Sequence, residues 1–178
     1  MGFDGRGESR ERILRDYLQG SGHQFHIEST QIGRIAQSPA NRKSPCFLCP
    51  RLRRKRLYEI AWERGCNKIV VGHHKDDIIE TFLLNLLFSR ELSTMVPNQE
   101  VFQGLFRIIR PLVYIEERLL KDFAQECDFP IVENNCPWAK KSKRAFVKGL
   151  LRRLDQEDGK IKENIFKSLK NVKRKFLL

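Results

Sequence analysis

The sequence predicts an α/β fold built on a parallel sheet, with a helical C-terminal appendage. Three observations carry that expectation. Two apolar extended runs, "NKIVVG" and "GLFRIIRPL", are separated by a strongly amphipathic segment of helical period. A turn dense in histidine and aspartate, "GHHKDD", follows the first run directly, at the carboxyl end of a strand where open α/β sheets place their ligands. After Cys136 the apolar residues recur only at helical spacing. Strands alternating with helices at this rhythm imply βαβ connections.

Taken in order, Ile13, Leu14, Tyr17 and Leu18 predict a helix over Glu8 to Leu18, ended by Gly20 and Gly22. "HQFHIES" reads as a short strand and Thr30 to Pro45 as a polar loop. From Arg51 to Arg64 a helix is expected, with Leu52, Leu57, Ile60 and Ala61 inward, and Gly65 closes it. "NKIVVG" is a buried strand. The helix after it carries Ile78, Ile79, Phe82, Leu83, Leu86 and Leu87 on one face, with Asp76 or Asp77 as its cap. A strand ends at Pro111, and Glu116 to Cys127 forms a helix with Leu119, Leu120 and Phe123 inward. "FPIVEN" is extended. Two last helices carry Phe146, Val147, Leu150, Leu151 and Leu154, then Ile161, Ile165 and Leu169. The 178 residues, 40% hydrophobic, suit one domain, with an α/β core over roughly residues 1–135 and helices over 136–178.

The formal charge is +12, from 34 Lys+Arg against 22 Asp+Glu, which points to a polyanionic partner. Dispersed cations and the lack of a span-length apolar run favour nucleic acid over a membrane. The glycine-rich, charged N-terminus lacks the apolar core of a signal peptide, so a cytoplasmic setting is expected. Five cysteines in a reducing compartment disfavour a disulfide framework and leave metal binding, catalysis or burial.

Cys46 and Cys49 form a CxxC pair flanked by Pro45 and Pro50, which mark an exposed turn. Such a pair chelates zinc, ligates an iron-sulfur cluster, cycles as a redox couple or is simply buried. The polar loop before it disfavours the redox couple, which belongs at a helix start just after a strand. Cys66 and Cys127 read as packing cysteines. Cys136, in the polar "VENNCPWAKK", is the third ligand candidate, giving a three-thiol site with one open coordination position. His73, His74, Asp76, Asp77 and Glu80 form a second constellation, whose carboxylates could hold Mg2+ against nucleotide phosphates or merely cap a helix. Five of the six residues from Arg51 to Arg56 are cationic. Arg51, Arg53, Arg54 and Arg56 are therefore assigned to phosphate backbone, although charge runs are ordinarily solvated faces.

Together, "PCFLCPRLRRKRLYEIAWERGCNKIVVGHHKDDIIETFLLNLLF", "RIIRPL" and the late cysteine of "ENNCP" resemble the tRNA 2-thiocytidine synthetases of the PP-loop ATPase superfamily, from about Arg12 to the C-terminus. The resemblance implies an adenine-nucleotide α-hydrolase-like, Rossmann-like fold and sulfur transfer to a tRNA cytidine. ATP with Mg2+ would adenylate the C2 oxygen of the base, and sulfur from a cysteine desulfurase would then displace AMP. It also implies that Cys46, Cys49 and Cys136 ligate a 4Fe-4S cluster, that His73, His74, Asp76 and Asp77 lie by the nucleotide, and that the four arginines lie near cluster and tRNA.

The superfamily's SGGxDS phosphate loop is absent. "DGRGES", Asp4 to Ser9, is not a substitute, because a phosphate loop needs a strand before it. The fold is therefore expected to be truncated at its N-terminus. The chain alone is expected to be inactive, and a bared sheet edge is expected to favour self-association or a homodimer. The competing readings are a non-catalytic tRNA-binding module with structural zinc, and thiolation of another tRNA base. Lysine ligation is disfavoured by the cysteines.

Overall fold

The computed structural model describes residues 6–42, 44–132 and 136–177. Asp4 and Gly5 of "DGRGES", and Glu133 to Asn135 before Cys136, lie outside the described residues. Two compact units divide the chain. The first comprises Met1–Arg64 with Ala124–Ser142, the second Gly65–Phe123 with Lys143–Leu178.

The first unit is helical. It holds α1 (Arg6–Gly20), α2 (Ile32–Gln37) and α3 (Pro45–Glu63), and a 3-10 turn at Ala139–Lys141. Three sequence expectations change here. "HQFHIES" pairs with no strand among the described residues, because this unit supplies no sheet for Phe25 and Ile27 to join. Within the expected Thr30 to Pro45 loop, Ile32 and Ala36 stand four residues apart and are buried, which is enough apolar surface to fix the short α2.

The third change concerns α3, which starts at Pro45 rather than Arg51, so the CxxC pair sits inside the helix. Pro45 suits the first helical position, where no intrahelical donor is needed, and the Ser44 carbonyl accepts from Phe47 N at 2.8 Å and Leu48 N at 3.3 Å. Pro50 lies within the helix and cannot donate to the Cys46 carbonyl. The prolines that read as turn markers are accommodated in the first turns, near the two thiols.

The second unit contains a three-stranded sheet in the order β1-β3-β2, from β1 (Lys68–Val70), β2 (Asn98–Val101) and β3 (Phe106–Ile109). Parallel pairing of β1 with β3 aligns Ile69 with Ile108, as a βαβ connection through α4 (Lys75–Phe88) requires. β2 is an addition to the predicted parallel sheet. It runs antiparallel to β3, joined by a tight loop in which Phe102, Gln103 and Gly104 all have positive φ. "NQEV" carries too little apolar character to announce itself, as befits a half-exposed edge strand.

The helices α5 (Glu117–Glu126), α6 (Lys143–Glu157) and α7 (Ile161–Ser168) follow the predicted segments. Ile79 on α4 packs with Val147 and Leu151 on α6, at 1%, 0% and 3% exposure, and Leu83, Leu84, Ile165 and Phe166 close around them. The inward face expected for α5 is corrected: Leu119 and Phe123 are exposed. Val70, read as part of a buried strand, is exposed as well, because β1 is a sheet edge among the described residues.

Candidate functional site

The first constellation lies in the first unit. Helix α3 places Cys46 and Cys49 on its opening turns, three residues apart and so on neighbouring faces. The chain returns to this unit at Ala124 and reaches Cys136, whose carbonyl accepts from Ala139 N at 3.0 Å as the 3-10 turn begins. The charge of Cys136 bears on both other thiols. Burial pushes the Cys46 thiol up, and the charge of Cys136 pushes it further, against a hydrogen bond from Ser44. Burial also pushes Cys49 up, the Arg53 guanidinium pulls it back, and Cys136 and Cys46 add to the rise.

A helix N-terminus favours a thiolate, yet here desolvation and mutual repulsion prevail. Ionising three thiols together is unfavourable without a cation to share. A thiophilic metal relieves that repulsion, so the donor set suits iron or zinc. Among the described residues no three histidine, cysteine or carboxylate side chains already stand at metal-binding spacing, so the thiols are gathered but not drawn together. Cys66 and Cys127 are exposed, which corrects their reading as packing cysteines. None of the five is joined in a disulfide.

Around these thiols the basic helix divides in two. Arg51, Arg53 and Arg54 are exposed and pair with no described acid. Arg56 differs: its guanidinium donates to Glu28 at 2.7 Å, Glu63 at 2.8 Å and Glu59 at 3.3 Å. Those carboxylates hold its charge even more firmly than usual, and Arg56 in turn lowers the pKa of Glu28. The sequence concealed this because Glu28 lies far from the helix along the chain.

The second constellation lies in the second unit, at the carboxyl end of β1. His74, not an aspartate, is the N-cap of α4. Its Nδ1 accepts from Asp77 N at 3.4 Å while its own backbone N–H donates to Asp77 Oδ2 at 3.1 Å, a reciprocal capping box. The extended backbone of the strand end sets the imidazole to reach the third helical amide, as Asp or Ser ordinarily does. Asp76 works outward, accepting Glu117 N at 2.8 Å and so helping to start α5, with Lys162 3.7 Å away. His73 precedes the cap and is half-buried.

Sequence reasoning missed the cations that meet these acids. Arg144 donates to Glu80 at 2.8 Å, Asp77 at 3.2 Å and Thr81 at 3.3 Å. Lys148 lies 3.8 Å from Glu80 and 3.0 Å from Glu117. Glu80 is buried, so its charge depends on these partners. Arg144 and Lys148 are one helical turn apart on α6, matching Asp77, Glu80 and Thr81 on α4. That complementary i, i+3, i+4 spacing was the available signal, but nothing local says which helices pair.

Lys75 is also buried, and it donates to Glu163 and to Glu116, the latter at 3.2 Å. Burial lowers its pKa, but the two carboxylates outweigh burial and the net shift is upward. A cavity of about 350 Å³ opens beside it, lined by Lys75, Asp76, Glu116, Glu117, Lys162 and Glu163. Its acids already face lysines, so a divalent cation at Asp76 would have to displace Lys162.

A model of the PP-loop domain matches residues 23–154. Proteins named tRNA-cytidine(32) 2-sulfurtransferase from Geobacter metallireducens and Geobacter sulfurreducens are each 38% identical to this chain, across 95% of it and 67% of their own length. The Burkholderia multivorans protein of that name is 39% identical across 91% of this chain and 50% of its own. The chain thus spans about two thirds of the Geobacter relatives and half of the Burkholderia one. Among solved structures, the U34-tRNA thiolase NcsA from Methanococcus maripaludis with its 4Fe-4S cluster superposes with a TM-score of 0.70. That match covers 90% of this chain and 54% of that one at 19% identity, and it shows a shared fold.

Proposed function

Because the chain belongs to the PP-loop domain family, on the branch of the tRNA-cytidine(32) 2-sulfurtransferases, we propose that it carries the sulfur-handling part of an ATP-dependent tRNA thiolase acting on cytidine. The observation that carries this reading is the convergence of Cys46, Cys49 and Cys136 within one unit, near enough that the charge of Cys136 adds to the upward push of burial on the other two thiols.

Three thiols are one fewer than a closed tetrahedral set, which leaves a position open to a reactant. Bound there, a 4Fe-4S cluster would supply an iron able to hold sulfur supplied by a cysteine desulfurase. Arg53, whose charge already acts on Cys49, would steady the anionic thiolates. Arg51 and Arg54, which pair with no described acid, would meet tRNA phosphate. Arg56 stands in this reading as a positioning residue, because its three carboxylates hold it to Glu28. The nucleotide and its Mg2+ would fall to His73, His74, Asp76 and Asp77. His74 and Asp77 would act chiefly by fixing the start of α4.

SGGxDS, which binds pyrophosphate through backbone amides in this superfamily, does not occur in the sequence. The 178 residues by themselves are therefore inactive in this reading. A second reading, a non-catalytic tRNA-binding module with structural zinc, gains from the engagement of Asp76 and Asp77 by Lys162 and Arg144.

Metal analysis separates the two. Protein purified without oxygen is expected to hold iron and acid-labile sulfide near four of each per chain, and Cys136→Ala is expected to lose both. Zinc in their place, or no metal in either protein, would overturn the cluster assignment and favour the binding module.

A further inference from the structure

The last acid of the chain is Glu163, and beyond it lie Lys167, Lys170, Lys173, Arg174 and Lys175. Lys167 is answered by Glu163 at 3.2 Å. The other four meet no described acid. Lys170 rests its Nζ 4.8 Å from the centroid of the Tyr114 ring, and Lys175 lies 5.1 Å from that of Phe176.

This tail is not a featureless run. A 3-10 turn over Arg174–Phe176 is closed by Phe176 N donating to Lys173 O at 3.0 Å and Leu177 N to Arg174 O at 3.1 Å. The turn presents Phe176 at 73% exposure, the highest of the large apolar side chains among the described residues, with Val172 and Leu177 also exposed. A segment that leaves four cations without a described acidic partner and holds an exposed aromatic ring on a folded turn has the two elements that single-stranded RNA uses: charge for phosphate, and a ring on which an unpaired base stacks.

We propose that residues 170–177 are a second RNA-contact surface, in which Lys170, Lys173, Arg174 and Lys175 neutralise backbone phosphates and Phe176 stacks an unpaired base of the tRNA. The surface rests on the tRNA reading above but uses none of the residues placed there. Because it is built on exposed side chains, its substitutions leave the packed core untouched. A three-residue 3-10 turn has no extended amphipathic face to lay on lipid, which favours RNA over an anionic membrane.

The test is filter binding of unmodified tRNA to the full 178-residue chain across a salt series. Replacing Lys173, Arg174 and Lys175 together by serine is expected to weaken binding at least about tenfold at low salt. The slope of log affinity against log salt should also fall by roughly 2 to 3, at about 0.7–0.9 for each phosphate no longer neutralised. A control triple, Lys55→Ser, Lys121→Ser and Lys167→Ser, removes the same charge from lysines that face Glu59, Glu117 and Glu163, and should leave the slope nearly intact. Phe176→Ala is expected to weaken binding about fivefold or more without changing the slope.

If the parent chain binds tRNA and both triples behave alike, the surface is wrong while the tRNA reading stands. If the parent chain fails to bind tRNA, both fall. Tail-dependent binding to vesicles of phosphatidylserine and phosphatidylcholine, with tRNA affinity unmoved by the tail substitutions, would reassign the surface to lipid and overturn the proposal.

Discussion

The two units are stabilised by different means. In the second, Ile78, Ile79, Phe106, Ile108, Val113, Val147 and Leu151 form a buried apolar set, and the charges of α4, α6 and α7 close on one another. The first unit buries only Ile32, Ala36 and Ala61 among its described hydrophobic residues, while burial and mutual charge push up the thiols of Cys46 and Cys49. A core that small supplies little stabilisation, and such units in general gain from a staple or a ligand. The second unit is ordered by what it packs, and the first stands to gain order from what it binds.

The largest expected effect is in the packed unit. Ile79→Ala removes a side chain that is 1% exposed and seated against Val147 and Leu151, and should cost about 2–5 kcal/mol. Ile32→Ala, at the edge of the smaller core, should cost under about 2 kcal/mol, because α2 is short and its site can collapse. Urea unfolding of both variants measures the contrast. Equal losses would mean that the first unit has a core as well ordered as the second.

Metal loading sharpens the comparison from the other side. A metal held at one hundred times its Kd adds about 2.7 kcal/mol to whatever it holds closed. Hydrogen exchange should slow about a hundredfold in the amides of residues 44–56 when the three-thiol site is loaded, and stay unchanged along α6. Cys136→Ala should abolish the protection. Slowing spread evenly over both units would mean that they open together.

How much of this was legible in the sequence differs by unit for a physical reason. The helix over Ile78 to Leu87, the parallel strands at Ile69 and Ile108 and the last two helices follow from apolar period, which a packed core imposes. Polar flanks set Cys136 apart from Cys66 and Cys127 in the sequence, but those two proved exposed rather than packed. Features that depend on a distant partner were hidden: the antiparallel β2, the capture of Arg56 by Glu28, and the meeting of Arg144 with Glu80. The cap at His74 was hidden differently, since histidine is not a residue from which a cap is expected. Two adjacent histidines suggested ligand chemistry, and one of them is occupied with starting a helix.

The smallest expected effect concerns acid, and it belongs to the second unit. Burial pushes the Glu117 carboxyl up, but hydrogen bonds from Lys121 and Lys148 outweigh burial and hold its pKa at about 2. The groups facing it are those two lysines, with Glu80 sharing Lys148 and Asp76 accepting its backbone N–H. A carboxylate whose folded pKa is depressed contributes stability that is present above its unfolded pKa, near 4.3, and lost as pH falls through about 2. Solvent screens both lysines, so the loss is about 1 kcal/mol rather than the full value of the shift. Lys75 works in the opposite sense. Its pKa is raised, so its contribution is present below the ordinary lysine value and disappears as pH rises through the higher folded one. Glu117→Gln should therefore flatten the fall in stability between about pH 4.3 and 2 and leave the alkaline side unchanged, as read from urea midpoints along a pH series. If that acid limb keeps its slope in the variant, the charges of α5 and α6 meet at Glu117 without stabilising the fold, and the contrast between the units rests the more on packing around Ile79.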